Sequence, residues 1–118
     1  MNIHDIRTLT AQCIAFRDER DWKQFHTPKD MALSLTLEAT EVLELFQWKD
    51  NAACTAYIET HQEKIADELV DTLYWVLVMA HDMKIDLSEA FAHKMKKNRE
   101  KYPVDKAKGR ADKYTQLG

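Results

Sequence analysis

The chain has 118 residues, of which 45% are hydrophobic, and a formal net charge of −3. This length suits one compact domain, and the weak negative charge argues against a protein that binds duplex nucleic acid through a basic face. Only two glycines and two prolines occur. Because hairpins and glycine-rich phosphate loops need more of both, we predict an all-α fold.

The cysteine positions and the N-terminal residues indicate the cellular compartment, which we predict to be the cytoplasm. Cys13 and Cys54 lie at no spacing typical of metal ligands, so we interpret them as small core residues in a reducing cytosol, with one disulfide left open. The first residues, Met1–Asp5, lack the basic and apolar regions of a signal peptide. The longest apolar run is about half the ~20 residues that span a bilayer. We expect a cytoplasmic protein that does not contact a membrane.

The first helix is predicted from about Ile3 to Arg20, because apolar residues recur there at helical spacing. Trp22, Phe25 and His26 follow in a short connection. Aromatic side chains in such a position commonly cap a core. The alternative is a platform on which a flat ligand such as a base stacks and forms hydrogen bonds.

The second helix is predicted to begin at Thr27 and Pro28, because threonine can cap a helix and proline suits its first position. It extends to about Lys49. On a helical wheel, Glu38 and Glu41 share a broad face with apolar residues. We therefore predict that both acids point inward.

The third helix is predicted from about His61 to Met83, after residues 52–60, which form either a short helix or an ordered connection. Glu68, Asp71 and Trp75 lie along one of its faces. Nearly all other side chains in its second half are apolar, and a helix that is apolar all round is normally buried on several sides. We predict that it packs against the second helix and lies at a subunit interface.

The fourth helix is predicted to begin after Asp86, which can cap it, and to end near Tyr102, before Pro103. Its later half, residues 94–99, is basic. This face is either simply exposed or binds phosphate. Residues 104–118 are charged and weakly patterned, so we expect an irregular tail after a helical domain formed by residues 1–103.

The two carboxylate pairs, Glu38/Glu41 and Glu68/Asp71, carry the main functional signal. Residues three apart on a helix share one surface, so neighbouring helices in a bundle of four main helices could bring all four acids together. Four carboxylates repel one another unless a cation compensates them. All-oxygen ligands suit Mg²⁺ or Mn²⁺. A di-iron centre would need Glu-x-x-His motifs, which the sequence lacks.

An acidic metal site, a basic helix and an aromatic platform are the three parts needed to hold a nucleoside triphosphate. The metal would bridge phosphate oxygens and orient a water molecule for attack on phosphorus. The alternative function is a non-catalytic helical module that uses the metal or the acids for assembly.

The pattern Glu-x-x-Glu followed by Glu-x-x-Asp resembles the signature of the all-α nucleoside triphosphate pyrophosphohydrolases, the MazG-like superfamily. Within it, the chain is most similar to the dCTP pyrophosphatase branch. The similarity covers nearly the whole chain and is carried by residues 20–26, 38–41, 44–49, 68–71, 94–103 and 113–115.

The resemblance implies Mg²⁺-dependent cleavage between the α- and β-phosphates by a dimer or dimer-of-dimers tetramer. We expect dCTP or a related pyrimidine nucleotide as the substrate, which the enzyme clears from the nucleotide pool. Mn²⁺ is a possible substitute. From the net charge we expect no nucleic-acid polymer as partner. The resemblance maps the metal ligands and catalytic acids onto Glu38, Glu41, Glu68 and Asp71. Base-side contacts map onto Trp22 and His26, with Trp48 supplied across a subunit boundary, and Trp75 stands at a sugar or phosphate contact where the branch often has tyrosine. Phosphate contacts map onto Lys94 and Asn98, and Tyr102 is a further substrate-binding residue.

Overall fold

The structure, a computed structural model, describes residues 5–117. In this range the chain forms six α-helices and no strand, which confirms the predicted all-α class. Two compact units are present, one ending at Lys84 and the other beginning at Ile85. The helices are α1 (Ile6–Glu19), α2 (Pro28–Glu44), α3 (Asn51–Thr60), α4 (Gln62–Asp82), α5 (Leu87–Lys101) and α6 (Val104–Ala107), with 3₁₀ turns at Lys23–Phe25 and Tyr114–Gln116.

Capping side chains define where the helices begin. The Thr27 hydroxyl accepts a hydrogen bond from the N–H three residues later at 3.2 Å, and Asp86 does the same at 3.1 Å. Both contacts confirm the predicted starts of α2 and α5. Asp5 caps α1 at 2.8 Å, so this helix begins later than predicted. Ile3, the predicted first residue, lies outside the described residues.

The connection between α2 and α4 differs most from the prediction. Helix α2 ends at Glu44, and successive turns over residues 45–48 replace the five further helical residues expected up to Lys49. The N–H groups of Leu45 and Phe46 bond three residues back rather than four, which tightens and terminates the helix. Asp50 then caps α3 at 2.8 Å. Residues 52–60, for which the prediction left a short helix or a connection open, thus belong to a helix. This helix adds to the four main helices that were expected.

Helix α4 is the centre of the first unit and packs most extensively against α2, then against α1 and α3. Its residues Leu77, Val78 and Ala80 are buried, as is Met31 of α2. Complete burial of one Leu or Val side chain stabilises a fold by about 1.5–3 kcal/mol. The second half of α4 therefore anchors the core, and this anchoring fixes the position of its first half.

The first half of α4 carries an exposed apolar surface, which we call the α4 stripe: Ala66, Leu69, Val70 and Leu73. These residues follow the i, i+3, i+4, i+7 spacing of one helix face. Leu69, Val70 and Leu73 are 52%, 61% and 39% exposed. Among the described residues of the first unit, nothing covers this face of α4, although its apolar character predicts burial.

The second unit contains α5, α6 and the final 3₁₀ turn. The tail, expected to be irregular, thus includes two short helical segments. The ring of Tyr114 lies edge-on to Tyr102, with centroids 6.2 Å apart, and Lys101 Nζ lies 4.9 Å from its centroid. Tyr114 therefore attaches the tail to the end of α5. Within residues 5–117, no helix combines the length and apolar character that a membrane span requires.

Candidate active site

Three carboxylates from two helices converge in the first unit. Glu38 and Glu41 lie one turn apart on α2, and Glu68 lies on α4. One oxygen of each carboxylate lies within 4.8 Å of the others. The packing of α2 against α4 brings them together. We call these three residues the acidic cluster.

The acidic cluster is partly withdrawn from water. Glu68 is only 7% exposed, Glu38 is half-buried and Glu41 is exposed. Oε2 of Glu38 and Oε2 of Glu68 are buried and have no hydrogen-bond partner within residues 5–117. A buried carboxylate oxygen without a partner is costly. The cluster thus offers unsatisfied oxygen ligands of the type that a hard cation binds.

One cation of the chain itself contacts the acidic cluster. Lys64 Nζ lies 2.8 Å from Oε1 of Glu68, one turn away on α4. This hydrogen bond holds the pKa of Glu68 below its ordinary value and raises the pKa of Lys64. Sequence reasoning missed Lys64, although its i, i+4 spacing to Glu68 is the signal that could have found it.

The protonation of the acidic cluster centres on Glu41. A protonated Glu41 can donate its single O–H to Glu68 or to Glu38, and an ionised Glu41 is repelled by both. These interactions raise the pKa of Glu41 to about 7. Near neutral pH the cluster is therefore partly protonated, and a cation that binds there would release a proton.

A cavity of about 210 Å³ lies beside the acidic cluster and shares Glu38 with it. Its wall is mostly aromatic, and we call it the aromatic cavity. Asp71, the fourth predicted acid, is exposed and lies in this wall rather than among the three converging oxygens. The lining residues are Phe16, Trp22, His26, Glu38, Asp71, Tyr74 and Trp75.

The aromatic rings contact one another edge-on. The centroids of His26 and Trp75 are 5.0 Å apart, those of Phe16 and Trp22 5.6 Å, and those of Phe16 and Tyr74 6.2 Å. His26 Nδ1 and the Tyr74 hydroxyl are buried and lack hydrogen-bond partners within the described chain. The cavity thus combines flat apolar surface with unsatisfied polar atoms. Sequence analysis selected neither Phe16 nor Tyr74 as a site residue.

A buried arginine supports the wall of the aromatic cavity. Arg17, 1% exposed, donates a hydrogen bond to Asp82 at 2.7 Å, and its backbone carbonyl accepts the N–H of Trp22 at 3.2 Å. Asp21, which lies between Arg17 and Trp22 in the sequence, has a left-handed φ of 55°. Burial lowers the pKa of His26, and the charge of Arg17 lowers it further, which favours the neutral imidazole. Arg17 and Asp82 are 65 residues apart, so no short-range sequence pattern could have predicted their ion pair.

The remaining predicted residues lie elsewhere. Trp48 follows α2 in the turn region and is 89% exposed. Lys94, Asn98 and Tyr102 belong to the second unit, on α5 or directly after it. Asn98 is half-buried, and Tyr102 contacts Tyr114. The first unit by itself therefore brings three of the four acids together in the acidic cluster and places Asp71, Trp22, His26 and Trp75 in the wall of the adjacent aromatic cavity.

Comparison with known proteins identifies a consistent set of relatives. The profile of the MazG-like family matches residues 33–117. The chain is 40% identical to dCTP pyrophosphatase 1 of Rattus norvegicus and 38% identical to that of Homo sapiens, over 98% of this chain and 67% of each relative. Among solved structures, a pyrophosphatase from Archaeoglobus fulgidus is similar, with a TM-score of 0.79 and 35% identity over 85% of this chain and 94% of that one.

Proposed function

The chain belongs to the MazG-like family, and on this basis we propose that it hydrolyses dCTP or a related pyrimidine nucleoside triphosphate in a Mg²⁺-dependent reaction. Its family and relatives make it a nucleoside triphosphate pyrophosphohydrolase. Cleavage between the α- and β-phosphates gives a nucleoside monophosphate and pyrophosphate and clears the nucleotide from the pool. The observation that carries the proposal is the acidic cluster, which shares Glu38 with the aromatic cavity.

The residues of the acidic cluster fit a divalent cation. One oxygen of each carboxylate lies within 4.8 Å of the others. The buried oxygens of Glu38 and Glu68 that lack hydrogen-bond partners would be stabilised by a bound cation. Carboxylate oxygens are the usual ligands of Mg²⁺. Glu38, Glu41, Glu68 and Asp71 would hold the ion, Asp71 from the adjacent cavity wall. When bound, Mg²⁺ would neutralise phosphate charge and lower the pKa of a water molecule.

The carboxylates also provide a proton acceptor for the reaction. Attack of water on the α-phosphorus forms a P–O bond and breaks the bond to the β-phosphate oxygen, which leaves with pyrophosphate. The attacking water must lose a proton, and a carboxylate of the four that is not fully engaged as a ligand accepts it. The partial burial of Glu38 and Glu68 strengthens their interactions with charge.

The size and lining of the aromatic cavity support its assignment to the base. A volume of about 210 Å³ is below the roughly 300 Å³ at which pockets for whole drug-sized ligands begin, so one ring suits it better than a complete nucleotide. Trp22 and Trp75 provide stacking surface. The neutral imidazole of His26 and the polar end of Tyr74 offer hydrogen bonds to the edge of a base.

Further substrate contacts are proposed for residues outside the cavity. Lys94 and Asn98 are proposed to contact the phosphates, since a cationic and an amide side chain suit their charge, and Tyr102 is proposed as a further substrate-binding residue. Trp48, 89% exposed, is supplied to the base by a neighbouring subunit. In this proposal the catalytic domain comprises residues 1–103, and residues 104–118 form an accessory tail. The unpaired state of Cys13 and Cys54 supports a reducing, cytoplasmic location.

The α4 stripe supports a homo-oligomer. Three of its side chains are between 39% and 61% exposed on one helix face, and contiguous apolar surface of this kind marks protein interfaces. We assign this face to contact with a second copy of the chain, as a dimer or a dimer of dimers. Such contact would place the interface within one turn of Glu68 and Asp71.

A substrate panel with pyrophosphate detection tests the activity. With Mg²⁺, we expect turnover to be highest for dCTP among the common ribo- and deoxynucleoside triphosphates. Glu68→Gln should lose turnover by at least about a hundredfold, whereas Glu59→Gln, an exposed acid on α3, should retain it. A wild-type chain that is inert on every nucleotide with Mg²⁺ or Mn²⁺ would favour the non-catalytic module instead.

Light scattering tests the assembly. We expect the wild-type chain to be a dimer or tetramer, and Leu73→Lys to dissociate it because the substitution places a charge in an apolar interface. Ile58→Lys is the matched control, since Ile58 is 43% exposed on α3 and lies off the stripe. A monomeric wild-type chain, or equal dissociation by both substitutions, would remove the stripe from the interface.

A further inference from the structure

Lys64 forms an ion pair with Glu68, one of the three residues of the acidic cluster. Its Nζ lies 2.8 Å from Oε1 of Glu68, whose side chain is 9% exposed, while Lys64 itself is 57% exposed. The other oxygen of Glu68 is buried without a hydrogen-bond partner within residues 5–117. A half-exposed lysine thus supplies a positive charge to an almost buried carboxylate.

The same carboxylate belongs to the acidic cluster. Its oxygen lies within 4.8 Å of oxygens from Glu38 and Glu41. Three carboxylates at this separation repel one another, and the repulsion grows where water is excluded. Lys64 lies one turn before Glu68 on the same helix, so its ammonium group needs only side-chain rotation to reach or leave the cluster.

We propose that Lys64 is a built-in counter-cation of the acidic cluster, which holds Glu68 before a divalent ion binds and competes with that ion for it. The inference rests on the metal site of the proposed function. Lys64 repels an incoming cation and occupies one of the lone pairs that the cation would use. It thereby stabilises the empty cluster and weakens its affinity for Mg²⁺ or Mn²⁺.

The inference differs from two simpler roles for the same lysine. If Lys64 only supports α4 as an i, i+4 partner, its removal leaves metal affinity unchanged. If it orients Glu68 for coordination, its removal weakens metal binding. Only competition predicts that a chain without the lysine binds the metal more tightly.

Calorimetric titration with Mn²⁺, without nucleotide, distinguishes these roles. We expect Lys64→Gln to lower the Kd for Mn²⁺ about three- to tenfold, as removal of a nearby, partly solvent-screened positive charge would do. Lys64→Arg, which keeps the charge, should bind close to the wild-type value. Lys29→Gln, an exposed lysine in the first turn of α2, controls for the change in net charge.

The outcomes separate this inference from the proposed metal site. Glu68→Gln should bind Mn²⁺ much more weakly than the wild type, which locates the measured binding at the cluster. If the wild type binds no Mn²⁺, the metal site itself is wrong. If the wild type binds but Lys64→Gln binds equally or more weakly, or Lys29→Gln gains as much affinity, then Lys64 is not a competing cation.

Discussion

The guanidinium of Arg17 and the carboxylate of Asp82 form a buried ion pair that joins the end of α1 to the end of α4. Arg17 Nη1 lies 2.7 Å from Asp82 Oδ2, and the two side chains are 1% and 15% exposed. Burial by itself would raise the pKa of Asp82, but hydrogen bonds from Arg17 and His81 hold it below its ordinary value. Because Arg17 also binds the N–H of Trp22 through its carbonyl, the pair fixes the connection that lines the aromatic cavity.

Removal of Arg17 should therefore destabilise the first unit. Arg17→Met leaves Asp82 largely buried without its partner, and we expect a loss of about 3 kcal/mol in the free energy of unfolding. Urea denaturation measures it. Arg99→Met, at an exposed position of α5, should change stability by less than about 0.5 kcal/mol. The double variant Arg17→Met/Asp82→Leu should regain most of the loss; equal loss in the single and double variants would contradict this explanation.

The pKa of Glu41, about 7, predicts how metal-free stability depends on pH. This pKa is raised on folding, so the stabilising contribution is complete below the unfolded value and disappears as the pH rises through about 7. We expect the free energy of unfolding of the wild type, relative to Glu41→Gln, to fall between about pH 5 and about pH 8. Denaturation in the presence of a chelator measures this difference.

Comparison with Glu41→Gln isolates this contribution. The lowered pKa of His26 acts in the opposite direction, since it makes the folded chain more stable as the pH rises through the ordinary histidine range. Both chains contain His26, so its effect cancels. Glu59→Gln, which removes an exposed acid on α3, is the matched control for the loss of one carboxylate. Parallel curves for the wild type and Glu41→Gln would show that Glu41 titrates normally.

Trp22 should contribute to substrate binding more than to chemistry. If it stacks on the base, Trp22→Ala removes an interaction present in both the ground state and the transition state, which raises KM. Base stacking on an aromatic side chain is worth about 1–3 kcal/mol, so we expect KM for dCTP to rise about tenfold while kcat changes little. Phe25→Ala is the control, because Phe25 is 63% exposed in the same connection and does not line the cavity. A fall in kcat at constant KM would remove Trp22 from the base pocket.

Lys84 follows α4 in a left-handed conformation, with φ of 59°. Its N–H bonds to the carbonyl of His81 at 3.1 Å, as residues just after a helix commonly do. Glycine adopts this conformation without strain, so Lys84→Gly should stabilise the protein by about 0.5–1 kcal/mol in urea denaturation. Lys84→Ala loses the same side chain but keeps the Cβ, and it should not stabilise. Equal gains in both variants would assign the effect to the lysine side chain instead.

Much of the fold was predictable because its signals are local. Thr27 and Asp86 define helix starts by bonding to residues three positions later, and apolar spacing identifies the helices between them. The comparisons confirm the family resemblance read from the acid pairs and the segments around them. The end of α2 was not predictable in the same way, because the turns before Asp50 compete with a sequence that can continue the helix beyond Glu44.

The features that sequence analysis missed depend on three-dimensional packing. Glu38, Glu41 and Glu68 converge, whereas Asp71 lines the neighbouring cavity, and the crossing of α2 and α4 decides which acid lies where. The burial of Arg17 follows from an ion pair between residues far apart in sequence. Neither relationship leaves a periodic pattern in the sequence.

Helix α3 separates the two acid-bearing helices along the chain but does not hold them together in space. Direct packing between α2 and α4 does that, while α3 packs chiefly against α4. Doubling the length of a flexible connection costs only about 0.6 kcal/mol of closure entropy. The stretch after Trp48 and before Gln62 is therefore the natural place to graft a reporter peptide, because an insertion there leaves the carboxylates of neighbouring helices in register.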